Sequence, residues 1–146
     1  EPVREWFDAD VERVACVEAV GKHSEFGYAG RVDMVAKLKS TDGWALVDFK
    51  SQKFKKDSKG RPKAAFYEVW PLQLEAYRQA ILHEGAIRPP QDIVSVAINS
   101  IEPVPVEVRA WPREQHGSYF RAFLNARDLW VFMRGYCPIA ASSTDY

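Results

Sequence analysis

Along the first third of the chain, apolar residues alternate with polar ones instead of recurring every third or fourth position. Val11 to Val20 spaces Val, Ala and Cys in this rough alternation, the period of a strand. After a turn marked by Gly21 and Ser24-Glu25 the pattern resumes from Phe26 to Leu38, with Gly27 and Gly30 at its start, where another group can approach the backbone closely. Asp42-Gly43 is a hairpin signal and leads into a third strand, Trp44 to Lys50. The period then changes. Leu74, Tyr77 and Ile81 fall on one face of a helix expected from Pro71, which suits a first turn, to His83, with Gly85 placed to end it. Ile93 to Ile101 and Pro105 to Trp111 read as two more strands. Ser118 to Arg134 reads as a long helix whose aromatic stripe, Phe120, Phe123 and Trp130, belongs to the core. The polar opening segment, Glu1 to Asp10, reads as the tail of a helix. This order predicts a sheet flanked by helices in one α/β domain.

Composition adds limits. A chain of 146 residues, 47% hydrophobic and 27% charged, has the size and make-up of one ordinary globular domain. No apolar run reaches the roughly 18 residues of a membrane span, so no membrane partner is expected. The N-terminus is no signal peptide and lacks Met, and an upstream helical segment is expected to have been removed. Cys16 and Cys137 are too few for a four-cysteine zinc or iron–sulfur site, and they suit a reducing, intracellular setting. The zero net charge hides an uneven distribution. Lys50 to Lys63 holds seven Lys or Arg against one Asp, which reads as a mobile basic loop.

Asp48 and Lys50, two apart in a strand, leave the same face, while Ala45, Val47 and Phe49 take the other. Asp33 lies in the preceding strand. A two-residue turn at Asp42-Gly43 would set it opposite Gln52, and a longer loop centred near Thr41 opposite Phe49; the longer loop is the expected one. Two carboxylates and an ammonium would then meet at one end of a sheet. Such a set suits phosphodiester hydrolysis: oxygen ligands hold Mg²⁺, the metal activates water, and a lysine stabilises developing charge. The spacing alone also fits an exposed surface pair. His23, His83 and His116 are scattered singly, without ligand spacing.

Three strings, taken in order, carry a resemblance. Gly27-Tyr28-Ala29-Gly30-Arg31-Val32-Asp33-Met34-Val35-Ala36, then Leu46-Val47-Asp48-Phe49-Lys50-Ser51, then Gln73-Leu74-Glu75-Ala76-Tyr77 resemble the PD-(D/E)XK nuclease superfamily, in its RecB-like branch. Val11 to Phe132 is similar overall to the mitochondrial genome maintenance exonuclease group and its phage and bacterial relatives. The resemblance implies a restriction-endonuclease-like core, a central mixed β-sheet flanked by helices. It implies a deoxyribonuclease using Mg²⁺ or Mn²⁺ on DNA that is single-stranded or has free ends, in repair, recombination or phage replication. Asp33, Asp48 and the Phe49 carbonyl would be metal ligands, Lys50 the catalytic lysine, and Gln73 and Tyr77 a helix motif facing the site and the strand. The branch usually has a further acid or His upstream; Glu18 is the better candidate here, with Glu5, Asp8 and Asp10 behind it. Lys53, Lys55, Lys56 and Lys59 would track phosphates, with Phe54, Phe66 and Tyr67 available to stack on bases. The alternative is a catalytically silent module of the same fold that binds DNA or a protein partner.

Overall fold

The computed structural model describes residues 1–138. Helix α1 (Pro2–Asp10) opens the chain, with Pro2 in its first turn, where a missing N–H costs nothing. Strand β1 (Val11–Val17) follows directly and pairs antiparallel with β4 (Met34–Leu38) through two register irregularities. Between them β2 (Val20–His23) and β3 (Tyr28–Arg31) form a separate two-stranded ribbon. The two long strands expected from the alternation are therefore each broken in two. At the first break, Glu18 takes a left-handed conformation (φ 52°), which a residue other than glycine adopts at a cost of about 1 kcal/mol. At the second, the chain leaves the ribbon through Val32 and Asp33.

Strand β5 (Trp44–Gln52) lies between β4 and β8 (Asp92–Asn99), and β9 (Glu107–Ala110) completes a five-stranded sheet of order β1-β4-β5-β8-β9. β5 and β8 run parallel and the other pairs antiparallel, so the sheet is mixed. Parallel neighbours need a crossover, which runs through α2 (Trp70–His83). Ala45, Leu46 and Val47 are wholly buried, as expected of a strand covered on both faces. On one face Met34, Ala36, Leu38, Val47, Val94 and Val96 pack beneath Trp6 of α1. On the other, Val35, Leu46 and Ile93 pack against Leu74 of α2. Each fully buried Val, Leu or Ile contributes about 1.5–3 kcal/mol. Gly85 (φ 77°) ends α2 as expected, its own N–H and that of Ala86 bonding back to Leu82 and Ile81 carbonyls.

Helix α3 (His116–Arg134) lies along α2. Its Phe120 and Phe123 pack on His23, Phe26 and Tyr28 of the ribbon. The expected core stripe stops there: Trp130 is 44% exposed and Met133 73%, and the far half of the helix is held by few contacts such as Arg127 with the Phe26 carbonyl and Trp130 with Tyr136. Glu75 in α2 is fully buried, held by Arg78, Gln79 and His116. No helix among the described residues is long and apolar enough to cross a membrane.

The basic segment is not an irregular loop. β5 runs on to Gln52, and β6 (Lys55–Lys56) pairs with β7 (Pro62–Lys63) in a short ribbon. Asp57 organises its turn by accepting the N–H groups of Lys59 and Arg61, and Gly60 supplies the left-handed step (φ 76°). The ribbon is tied down by Phe54, buried with Ala64 and Ala97, and by a reciprocal Gln52–Ala65 pair.

Candidate active site

Asp33 and Asp48 face each other where β4 stops pairing with β5. The register Met34↔Val47, Val35↔Leu46, Ala36↔Ala45, Lys37↔Trp44 extends by one step to set Asp33 opposite Asp48. The expected partner was Phe49. The last pair, Lys37↔Trp44, leaves residues 38–43 as the connection, centred between Ser40 and Thr41, half a step before the expected centre at Thr41, and Ser40 bonds the Asp10 carboxylate there. The Asp33 side chain then replaces the missing ladder: its Oδ2 accepts the Phe49 N–H at 2.8 Å. A strand residue sends its N–H and C=O to the same edge, so the Phe49 carbonyl also leaves toward the vacated β4 side.

Asp48 is buried (8% exposed) beside this second carboxylate. Burial pushes its carboxyl up to about 6; the Lys50 ammonium pulls it back and the Asp33 carboxylate, within hydrogen-bond reach, pushes it up again. Lys50 Nζ lies 3.0 Å from Asp48 Oδ2, yet that oxygen receives no aligned hydrogen bond. The Lys50 ammonium already offsets part of the cost of burying that oxygen. Two adjacent carboxylates and a backbone carbonyl form a hard oxygen donor set of the kind that suits Mg²⁺ or Mn²⁺. The residues present fit such an ion.

Lys50 is positioned from α2. Its Nζ donates to Gln73 Oε1 at 3.2 Å, and Gln73 Nε2 donates to Tyr77 Oη at 2.6 Å, the i and i+4 residues sharing one helix face. Tyr77 in turn lies on Gly30: a Cβ there would come within 2.0 Å of the ring. The glycine ahead of Asp33 therefore makes room for the ring that ends the Lys50–Gln73–Tyr77 chain. Gly30→Ala should displace Tyr77 and cost about 1–3 kcal/mol by overpacking, read as a melting temperature lowered by several degrees. A Gly30→Ala, Tyr77→Ala double variant that recovers none of the loss would place the cost elsewhere.

No protein-family model matches the chain, and no curated protein matches it.

The remaining sequence candidates sit at different distances from this centre. Glu18 is adjacent through its backbone, its N–H donating to the Asp33 carbonyl at 2.9 Å. Among the described residues no hydrogen bond or ion pair joins the exposed Glu18 carboxylate to Asp33, Asp48 or Lys50. Lys53, Lys55, Lys56 and Lys59 are all exposed on or beside the β6–β7 ribbon, and Lys56 pairs with Glu102 at 3.7 Å. Phe54 is corrected: at 5% exposed it anchors the ribbon and offers no face to a base. Trp70, not singled out from the sequence, stands beside the site with its ring 5.8 Å from Lys50 Nζ. Its position at the start of α2, three residues before Gln73, was the available signal.

The histidines are not all scattered. His23, Glu25 and His83 bring ligand atoms within 4.8 Å of one another. The two imidazoles, however, stack at 4.1 Å with planes 17° apart, so their in-plane lone pairs run side by side and do not converge. His83 Nε2 is within hydrogen-bond distance of Ser24 Oγ, and His23 Nδ1 accepts the Phe26 N–H. This cluster packs the end of α2 onto the β2–β3 ribbon. Burial, with His83 alongside, holds His23 below its ordinary value.

Proposed function

We propose that this protein is a metal-dependent deoxyribonuclease with a PD-(D/E)XK core. The observation that carries the reading is Asp33 facing Asp48 at a sheet break, with Lys50 against the second carboxylate. The order helix, strand, strand, strand, helix, strand, with the β2–β3 ribbon inserted and β5 parallel to β8, supports the same core. Asp33, Asp48 and the Phe49 carbonyl would hold Mg²⁺ or Mn²⁺. Such an ion, when bound, polarises a phosphoryl oxygen and acidifies coordinated water.

The chain's own groups do the rest. The sheet places the two carboxylates side by side without a mobile loop between them, so little reorganisation is needed. The Gln73–Tyr77 pair holds Lys50 toward Asp48, where its ammonium can orient the attacking water or stabilise charge developing on the phosphate. Exposed Lys53, Lys55, Lys56 and Lys59 supply a phosphate-tracking surface beyond the end of β5. The substrate is DNA, single-stranded or with free ends.

The test pairs calorimetric Mn²⁺ titration with cleavage of labelled DNA, for the native chain and Asp33→Asn. The native chain should bind the ion and cut; the variant should do neither while keeping its fold. DNA binding without metal binding or cleavage in the native chain would favour the silent module. Lys50 already 3.0 Å from Asp48 is the feature that such a module would share.

Neutralising Lys55, Lys56 and Lys59 together should weaken binding to all DNA sequences alike. On single strands the log–log slope of affinity against salt should flatten by roughly 0.7 for each phosphate that the variant no longer neutralises. Lys56 is expected to contribute least, since Glu102 already lies beside it. An unchanged slope would show the ribbon to be merely solvated.

A further inference from the structure

We infer that Tyr67 and Trp70 form a wall on which an unpaired nucleobase of a DNA strand stacks next to the Asp33–Asp48–Lys50 centre. The inference rests on the nuclease reading and names the group that would make the site select single strands. Tyr67 is 55% exposed, and no hydrogen bond of its hydroxyl to another described residue ties it down. It stands edge-on to Trp70, ring centroids 5.3 Å apart, and Trp70 N–H donates to the Tyr67 carbonyl at 3.0 Å, so the two rings belong to one tight turn.

That turn is braced from behind. Phe66 meets Trp70 at 5.8 Å, and the Arg109 guanidinium lies 4.4 Å over Phe66 and 5.3 Å from Trp111, which is itself buried. An aromatic face held in this way loses little side-chain entropy when a base lies on it. Charge fixes what the occupant must be. The wall has Lys50 within 5.8 Å of Trp70 on one side, and the chain entering it comes from the lysine-bearing β6–β7 ribbon. Lys50 is already matched by Asp48 and Lys56 by Glu102, and Glu68 is exposed beside Tyr67. Lys53, Lys55 and Lys59 form no ion pair among the described residues, and a purely apolar partner would leave these three ammonium groups unmatched. A nucleotide supplies a π-face for the rings and a phosphate for the lysines. In the interior of a duplex both faces of each base are already stacked, so away from its ends only a single strand can use the wall.

The test is fluorescence anisotropy on the whole chain in EDTA, which stops cleavage. The probes are a short labelled oligothymidylate, its duplex with oligodeoxyadenylate, and the same strand carrying abasic residues. Tyr67→Ala should weaken single-strand binding by about 5–150-fold, the range of one missing base stack, and leave duplex binding unchanged. Tyr67→Phe should retain single-strand affinity. The abasic strand should bind the native chain as weakly as the intact strand binds Tyr67→Ala. Equal single-strand affinity for Tyr67→Ala and the native chain would overturn the inference. So would equal losses on single strand and duplex, and so would an abasic strand that binds the native chain fully. A native chain that binds neither DNA form would instead sink the nuclease reading itself.

Discussion

Asp48→Asn is expected to abolish metal-dependent cleavage and, in the same protein, to raise the melting temperature of the metal-free fold. The activity loss follows from its place in the donor set. Groups that merely support a metal's ligands cost 10–100-fold when removed, so loss of a ligand carboxylate should exceed about 100-fold. The stability gain follows from burial. In the folded chain the Asp48 carboxyl is pushed up to about 6 from an ordinary 3.8, chiefly by desolvation. The folded state therefore keeps a proton that the unfolded state has already released, and stability falls as pH rises between those two values. Above about pH 6 the penalty is complete, and from the size of the shift it amounts to at most about 3 kcal/mol. Asn removes it, less whatever Lys50 loses with its partner. Below about pH 3 both states are protonated and the two proteins should melt alike. Melting curves in EDTA near neutrality and below about pH 3, beside a cleavage assay, test both halves. An Asn variant that melts lower than the native chain near neutrality would show that Lys50 more than compensates the buried charge.

Lys50→Ala should lower turnover by about 10²–10³-fold, the usual effect of deleting one donor aimed at transition-state charge. DNA affinity should change far less, because in the proposed reading the exposed lysines on and beside the β6–β7 ribbon would supply the phosphate contacts. Removing the ammonium also leaves Asp48 beside Asp33 with no cation, so the carboxyl of Asp48 should move further upward and metal should bind more weakly at mildly acid pH. Single-turnover rates and equilibrium binding measured on the same variant separate the two effects. A variant that keeps its rate at saturating DNA but binds poorly would make Lys50 a phosphate contact.

The strings around Asp33, Asp48 and Gln73 proved legible because each is local. Alternation along β5 places Asp48 and Lys50 on one face whatever the rest of the chain does, and the i, i+4 spacing places Gln73 with Tyr77. What failed was pairing over distance. Asp42-Gly43 signals a tight turn that would set Asp33 opposite Gln52. The connection is the longer one expected, but its centre falls between Ser40 and Thr41, where Ser40 bonds Asp10 of α1, and that sets Asp33 opposite Asp48 instead of Phe49. The basic segment looked mobile because charge and glycine dominate it. Phe54 in the core and the side chain of Asp57 in the turn make it a ribbon.

Periodicity by itself determined the mixture of strands and helices, the shared face of Asp48 and Lys50, and the end of α2 at Gly85. It did so because those outcomes depend on bond geometry and on neighbours a few residues away. Only the tertiary structure decided that the long strands break at Glu18 and Asp33, that Gly30 makes room for Tyr77, that His23 meets His83, and that Glu75 is buried. Each of these depends on a partner tens of residues distant, and the register that brings two such residues together is set by the whole packed sheet and its covering helices.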